Sequence, residues 1–129
     1  MEHLLEVKNL SVSINGPAGE VQAVRDVSFS LKKGEVLAIV GESGCGKSVL
    51  CKSIMKLLPP SAKIKEGSIC VNGQDITCYR EKEMQKLRGK VFSMIFQDPM
   101  TSLNPTIKIG KQIAEAVIIH NKNYTKDQL

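Results

Sequence analysis

The sequence predicts an α/β fold, and three observations support this class. Two segments near the start alternate apolar and polar residues, as strands with one buried face do. A uniformly apolar run then leads directly into a glycine-rich loop. Apolar residues at helical spacing follow that loop. Together these features predict antiparallel strands followed by a strand–loop–helix unit.

The two alternating segments are "LLEVKNLSVSI" and "VQAVRDVSFSL". Between them lies "NGPAGE", Asn15 to Glu20, whose composition is that of a turn. Strands joined by a turn pair antiparallel, so residues 1–34 are predicted to form an antiparallel β-subdomain.

The strand–loop–helix unit is assigned to residues 35–58. Val36 to Val40 is uniformly apolar, which predicts a strand buried on both faces. After the glycines, "KSVLCKSIMKLL" has helical periodicity. Pro59 and Pro60 are expected to end this helix, because proline supplies no N–H and restricts the residue before it.

Residues 67–96 are predicted to contain a hairpin, a short helix and a strand. The hairpin turns at Asn72-Gly73, a pair that tolerates positive φ. "REKEMQKLRG" predicts a charged helix stopped by Gly89, and Val91 to Phe96 is a second apolar strand. Residues 97–129 then read as a polar loop, the helix "IGKQIAEAVIIH" and a helix start at Thr125.

Composition and charge exclude several function classes. The net charge is +5, but the lysines are scattered and aromatic residues are few, so a nucleic-acid surface is not expected as the main function. The four cysteines form no C-x-x-C pair, which argues against a metal site. No signal peptide or run of about 18 apolar residues is present, so a reducing cytosolic setting is expected.

The glycine loop has the spacing of a phosphate-binding motif. Gly41, four residues, Gly46, Lys47 and Ser48 satisfy G-x-x-x-x-G-K-[ST]. The glycines let successive N–H groups point inward around an anion, and the next helix adds its positive dipole end. Lys47 brings a charge to the β- and γ-phosphates, and the Ser48 hydroxyl is a suitable Mg²⁺ ligand. The alternative is a glycine turn with an incidental lysine.

Nine consecutive residues are therefore predicted to bind nucleotide: Gly41, Glu42, Ser43, Gly44, Cys45, Gly46, Lys47, Ser48 and Val49. Cys45 occupies a variable position at a helix N-terminus, where a thiol pKa can be lowered. It is either a redox- or alkylation-sensitive switch or simply a small residue that fits.

The loop "MIFQDPMTSLNP", Met94 to Pro105, resembles the Q-loop of ATP-binding cassette (ABC) transporter ATPases. More narrowly, it is similar to the oligopeptide/dipeptide/nickel branch, in which "FQDP" and "LNP" recur. "AVRDVSFSLKKGEVLAIVGESGCGKS", "GSICVNGQDI" and "IGKQIAEAV" follow the order of that branch. The resemblance covers nearly the whole chain and implies a P-loop NTPase fold of the ABC ATPase type, in N-terminal part only.

By this resemblance, Gly41 to Ser48 is the Walker A loop. Gln97 is the Q-loop glutamine, which reaches the Mg²⁺ and the attacking water, so Gln97 and Lys47 are the predicted catalytic residues. Ser48 and Gln97 are the predicted Mg²⁺ ligands, and a neutral amide suits both tasks of Gln97 because it donates and accepts.

The loop after Gln97 would contact the membrane subunits. Asp98, Pro99 and the Asn104-Pro105 corner are candidates for that contact. The alternative is turn chemistry alone, since Asp, Asn and Pro all favour turns.

The resemblance also implies function and partners. The chain would be part of an ATP-binding subunit that couples ATP hydrolysis to the import of peptides or nickel. Its cofactors would be ATP and Mg²⁺, and its partners transmembrane permease subunits and a second ABC ATPase subunit in a homo- or heterodimer. We expect it to lie peripherally on the cytoplasmic face of the cell membrane.

The sequence departs from the family pattern before Walker A. The family's usual aromatic residue, which stacks on adenine, is missing: no Phe, Tyr or Trp precedes Phe29. Ile14, Val21 or Val24 remain as residues that would pack on the base.

The LSGGQ signature, the Walker B strand and the switch histidine do not occur in the 129 residues. The expectations are therefore the N-terminal part of an importer ATPase, a nucleotide-binding fragment without turnover, or an interaction module with a vestigial loop. A small soluble kinase would need a lid and acceptor-site residues, which are not apparent. Exposed strand edges predict association or low solubility.

Overall fold

The computed structural model describes residues 3–98 and 102–121. The chain divides into two compact units, Met1–Arg80 and Glu81–Leu129. The predicted helix start at Thr125 and the candidate contact residue Pro99 lie outside the described residues.

The first unit is built on a four-stranded antiparallel sheet. Its strands are β1 (His3–Gly16), β2 (Gly19–Lys32), β3 (Ala62–Val71) and β4 (Gln74–Asp75), in the order β2-β1-β3-β4. The two alternating segments do form a hairpin, with Asn15 opposite Glu20. The predicted Asn72-Gly73 hairpin is also present, and both turn residues have positive φ. β3 begins before the predicted hairpin region, because "AKIKEG" extends the pairing with β1.

One face of this sheet carries the core of the first unit. The fully buried apolar side chains include Val7, Leu10 and Val12 of β1 and Ile69 of β3. Leu10 and Val12 share one face because alternate residues of a strand do, and the register irregularity between Val7 and Leu10 lets Val7 be buried as well. Burying such side chains contributes about 1.5–3 kcal/mol each.

Two irregular positions bend the β1–β2 pair. Asn9 and Asp26 both have positive φ, and the Asn9 Nδ2 donates a hydrogen bond to the Asp26 Oδ1 at 2.8 Å. Gly67 of β3 lies against the first irregularity. A Cβ at Gly67 would stand 2.5 Å from the Lys8 carbonyl oxygen and 2.6 Å from the Leu10 Cα, so this close approach requires glycine.

The helix after the glycine loop, α1 (Lys47–Ile54), is shorter than predicted. The prediction that Pro59 and Pro60 end it is wrong. Lys56 adopts a left-handed conformation with φ 51°, and the Leu57 N–H bonds to the Lys52 carbonyl oxygen at 2.8 Å. This bond satisfies a carbonyl group at the helix end, so the chain leaves the helix before the prolines.

The predicted strand at Val36 to Val40 does not form, and its predicted burial is also wrong. No strand pairs with this run within the described residues, and Val36 and Val40 are 97% and 92% exposed. The predicted strand at 91–96 is likewise wrong: Phe92 makes one isolated bridge with Arg88, and Ile95 is 98% exposed. Apolar composition favours a strand, but a strand also needs a hydrogen-bonded neighbour.

The second unit contains α2 (Glu81–Leu87) and α3 (Ile109–His120). Both predicted helices are confirmed, and Gly89, at φ 79°, follows α2 as expected. The bare Cα of Gly89 makes room for His120, whose Nε2 would lie 2.7 Å from a Cβ there. Among the described residues, no helix combines the length and the apolar character required to cross a membrane.

Candidate functional site

The glycine loop is anchored to the free edge of β2 through Gly46. Gly46 has φ 95°, and a Cβ at this position would overlap the Ala23 carbonyl oxygen. The same Cβ would also lie 3.9 Å from a methyl group of Val24. Only glycine fits both the backbone angle and this contact, so the second fixed glycine of the motif seats the loop on the sheet.

Lys47 places its ammonium group inside the loop. Its Nζ donates hydrogen bonds to the carbonyl oxygens of Gly41 and Glu42, each at 2.6 Å. It also approaches the Cys45 Sγ at 3.3 Å. The loop therefore closes around a full positive charge that is held by two weak, neutral acceptors. Phosphate oxygens are stronger acceptors for the same donor.

The start of α1 is open to an anion. Gly46, the residue that precedes the helix, makes no side-chain capping bond, and the first turn has no acidic residue. The first N–H groups of a helix lack intrahelical partners, and the helix dipole is positive at this end. The loop and α1 together thus direct backbone donors and a lysine towards one point, which is an arrangement that binds phosphate.

The contact with Lys47 changes the acidity of the Cys45 thiol. The hydrogen bond from Lys47 is the largest influence on the thiol and lowers the pKa of Cys45 below its ordinary value. The thiol is exposed. A negative phosphate beside Lys47 would compete with the thiol for the same ammonium group.

Ser48 and Gln97 are the residues predicted to bind Mg²⁺, and Gln97 is also predicted to position water. Ser48 is exposed in the first turn of α1. Gln97 is also exposed, at a bend in the second unit. Their Mg²⁺ roles, and the catalytic role of Gln97, stay predictions. Within the described residues, no group of three or more His, Cys, Asp or Glu side chains could itself hold a metal ion.

The Asn104 corner is organised by turn chemistry. The Asn104 Oδ1 accepts from the Thr106 N–H at 3.0 Å and from its hydroxyl at 2.7 Å. Gln112 of α3 holds the same corner, since its Nε2 donates to the carbonyl oxygens of Asn104 and Ile107. These bonds show turn chemistry at Asn104, and the contact of this corner with a membrane subunit stays a prediction. Ser102 donates a hydrogen bond to the carbonyl oxygen of Asp98.

Sequence reasoning missed two supports of these loops. Ala23 accepts the close approach of Gly46, and Gln112 holds the Asn104 corner. Neither contact has a local sequence signal, because the partners are 23 and eight positions apart. A glycine motif with fixed spacing is visible in the sequence, but the surface that it rests on is not.

The fold and this loop define a P-loop protein, in which a glycine-rich loop opens a helix beside a β-sheet. A family model described as ABC transporter matches residues 24–128. The chain therefore belongs to the ABC transporter family.

Curated relatives agree with this family. The chain is 59% identical over 120 residues to the oligopeptide transport ATP-binding protein OppD of Bacillus subtilis, which covers 92% of this chain and 34% of the relative. It is 55% identical over 125 residues to the dipeptide transport ATP-binding protein DppD of Lactococcus lactis, covering 97% and 36%. The chain thus spans about a third of the length of these relatives.

Solved structures agree on the fold. A dimeric structure of MJ0796, a bacterial ABC transporter cassette, matches with a TM-score of 0.81 and 22% identity. It covers 95% of this chain and 50% of the cassette. A post-hydrolysis state of the same cassette bound to ADP and Pi matches with a TM-score of 0.78. At this identity the likeness concerns the fold alone.

Proposed function

We propose that this chain binds the triphosphate of ATP through Gly41 to Val49, as part of the ATP-binding subunit of a peptide importer. The observation that carries the proposal is the Lys47 ammonium, which lies inside a glycine loop at an uncapped helix start. The names of relatives at 47–59% identity support the transport class, since they are oligopeptide and dipeptide ATP-binding proteins.

Binding would exchange the partners of Lys47. Its Nζ would leave the carbonyl oxygens of Gly41 and Glu42 for phosphate oxygens, and the open N–H groups of the loop and α1 would donate to the same phosphates. Gly46 keeps its place on Ala23, so the loop is held at one end while the lysine moves. This is positioning and charge stabilisation, which is most of what phosphoryl transfer requires of a protein.

Ser48 and Gln97 are each proposed as a magnesium ligand on the chemistry of the side chain alone. The Ser48 hydroxyl and the Gln97 amide oxygen are hard oxygen ligands, and the phosphates would supply the remainder. Bound Mg²⁺ would neutralise charge on the β- and γ-phosphates. Gln97 would also orient the attacking water, because its amide can donate and accept without adding charge.

The proposed partners are transmembrane permease subunits and a second ATPase subunit, at the cytoplasmic face of the membrane. The names of the transport relatives support the permease, and the dimeric MJ0796 structure supports pairing of cassettes. Hydrolysis and peptide import are proposed for the whole protein, since this chain spans about a third of the length of its relatives.

Calorimetric titration with Mg·ATP tests the binding step. Replacing Lys47→Ala should weaken binding by about tenfold or more, because a charge-assisted bond contributes about 1.5–3 kcal/mol. Lys63→Ala is the matched control, since Lys63 is an exposed lysine on β3 and should leave the affinity unchanged. No binding to the unaltered chain, or equal losses in both variants, would refute the phosphate site.

A phosphate-release assay separates binding from turnover. Steady release that disappears in Lys47→Ala would place hydrolysis within these 129 residues. Binding without release would assign them the nucleotide-binding step alone. In a full-length transporter, Lys47→Ala should abolish peptide uptake, and surviving uptake would show that Lys47 has no part in the reaction.

A further inference from the structure

The end of α1 that lies away from the glycine loop carries a residue with a strained backbone. Lys56 has φ 51°, and its N–H bonds to the Ser53 carbonyl oxygen at 3.1 Å. The Leu57 N–H bonds to the Lys52 carbonyl oxygen at 2.8 Å. These two bonds form a Schellman motif, in which the left-handed residue is usually glycine because a Cβ is unfavourable there. The lysine is therefore expected to contribute through its side chain.

The side chain of Lys56 joins α1 to the turn that follows β4. Its Nζ donates a hydrogen bond to the Tyr79 carbonyl oxygen at 2.6 Å, in a partly buried setting. A charged donor at this distance makes a strong bond, and partial burial strengthens it further. The charge of Lys56 also reaches Asp75, since the pKa of Asp75 is lowered chiefly by its hydrogen bonds with Thr77 and further by the Lys56 ammonium group.

The turn that accepts this bond is itself fixed to β3. The Ile76 N–H donates to the Ile69 carbonyl oxygen at 2.9 Å, and the Ile69 N–H donates to the Thr77 hydroxyl at 2.8 Å. The side chains of Ile69 and Ile76 are fully buried. The Tyr79 N–H bonds back to the Ile76 carbonyl oxygen at 3.1 Å. Lys56 therefore ties the end of α1 to a well-anchored part of the sheet.

We propose that Lys56 is a positioning residue for the phosphate site. Gly46 seats the start of α1 on β2, and the bond between Lys56 and Tyr79 fixes its other end on the turn after β4. The helix has eight residues, a length of about 12 Å, so freedom at one end changes the direction of the N–H groups at the other. Held at both ends, α1 keeps its first N–H groups directed at a bound anion. The inference rests on the proposed function, because that anion is the phosphate of the nucleotide.

Titration with magnesium tripolyphosphate, which has the phosphates but no base, measures this positioning. Lys56→Met removes the ammonium group and should weaken binding about fivefold, because a helix with one loose end must be ordered when the phosphate binds. Lys56→Arg keeps a charged donor and should stay within about twofold of the unaltered chain. Lys52→Met is the matched control and should leave the affinity unchanged. It removes the same charge from α1, and among the described residues the Lys52 side chain makes no hydrogen bond or ion pair.

A further variant separates positioning from stability. Lys56→Gly also lacks the ammonium group, but it relieves the left-handed strain and should unfold at a higher urea concentration than Lys56→Met. Both variants should nevertheless weaken tripolyphosphate binding about equally, because both lack the bond to Tyr79. If affinity instead followed stability, with Lys56→Gly close to the unaltered chain, Lys56 would have a structural role alone and the proposal would be overturned.

Hydrogen exchange gives an independent measurement at the turn. In the unaltered chain, tripolyphosphate should slow exchange of the amides in residues 76–80 by about threefold, because binding fixes α1 and α1 holds this turn through Lys56. The slowing should be lost in Lys56→Met and kept in Lys52→Met. Slowing that persists in Lys56→Met, or an unchanged affinity of that variant, would overturn the proposal and leave the phosphate site intact. If tripolyphosphate did not bind the unaltered chain, the proposed function would fail and the positioning role with it.

Discussion

β1, which alternates apolar and polar residues, and the uniformly apolar run Val36 to Val40 were both predicted to be strands, but their surroundings differ. β1 is paired on both sides, with β2 and with β3, and its Leu10 and Val12 are fully buried. The run has no paired neighbour within the described residues, and Val36 is 97% exposed. Apolar side chains can favour a strand, but backbone N–H and C=O groups stabilise one only when a neighbour accepts and donates.

The glycine loop lies between these two regions and differs at its two ends. Gly46 is seated on Ala23 of the paired sheet, while Gly41 follows the unpaired run directly. The α1 end of the site is therefore fixed by packing. The other end is held chiefly by the Lys47 bonds to the carbonyl oxygens of Gly41 and Glu42.

The largest effect on stability is expected where β3 approaches β1 most closely. Gly67 has φ 94°, and Gly67→Ala would place a Cβ 2.5 Å from the Lys8 carbonyl oxygen. We therefore expect the free energy of unfolding to fall by about 4 kcal/mol, from backbone strain and overpacking. Gly73→Ala is the control, because Gly73 has positive φ but no atom within 4 Å, and about 1 kcal/mol is expected. Urea unfolding followed by circular dichroism measures both. Equal losses would mean that β3 does not approach β1 closely.

A second pair of variants compares the two regions directly. Leu10→Ala removes a fully buried side chain and should cost about 3 kcal/mol of unfolding free energy. Val36→Ala should change stability by less than about 0.5 kcal/mol, because Val36 is almost fully exposed. The same urea titration applies. A cost for Val36→Ala close to that of Leu10→Ala would show that the run is buried in solution.

A third pair tests whether the loop is anchored at one end. Gly46→Ala is expected to lower the free energy of unfolding by about 2 kcal/mol, because of the left-handed backbone and the overlap with Ala23. Gly44→Ala carries the backbone strain alone, about 1 kcal/mol, since nothing lies within 4 Å. Tripolyphosphate titration should show the greater loss of affinity for Gly46→Ala. If Gly44→Ala were the more damaging, the loop would not depend on its seat on β2.

The smallest effect concerns two cysteines, one in the loop and one in the paired sheet. The Lys47 hydrogen bond lowers the pKa of Cys45, whereas burial raises the pKa of Cys70 in β3. The thiolate is the reactive form, so Cys45 should be alkylated at lower pH than Cys70. Mass spectrometry after iodoacetamide treatment across pH 6–10 (an assay range chosen around the usual thiol pKa) gives both profiles.

The control for this measurement is Lys47→Ala, which should move the Cys45 profile to higher pH and leave that of Cys70 in place. Coincident profiles for the two thiols in the unaltered chain would contradict the contact between Lys47 and Cys45.

Local patterns predicted much of this fold. The β1–β2 hairpin follows from alternation, the Asn72-Gly73 turn from residues that tolerate positive φ, and α3 from helical spacing. The end of α1 was not predictable from the prolines. Lys56 adopts a left-handed conformation, and the Leu57 N–H bonds back to the Lys52 carbonyl oxygen, so the helix ends before it reaches them. The start of β3 was missed because its pairing with β1 is long-range.

The sequence by itself determined the chemistry of the candidate site. A lysine and a serine at fixed spacing after glycines specify donors and a backbone that turns around an anion, and these properties are local. The tertiary structure decided which apolar runs became strands and where Gly46 rests. The physical reason is that such contacts join distant residues, and burial and hydrogen bonding reward them only when the partner surface is present.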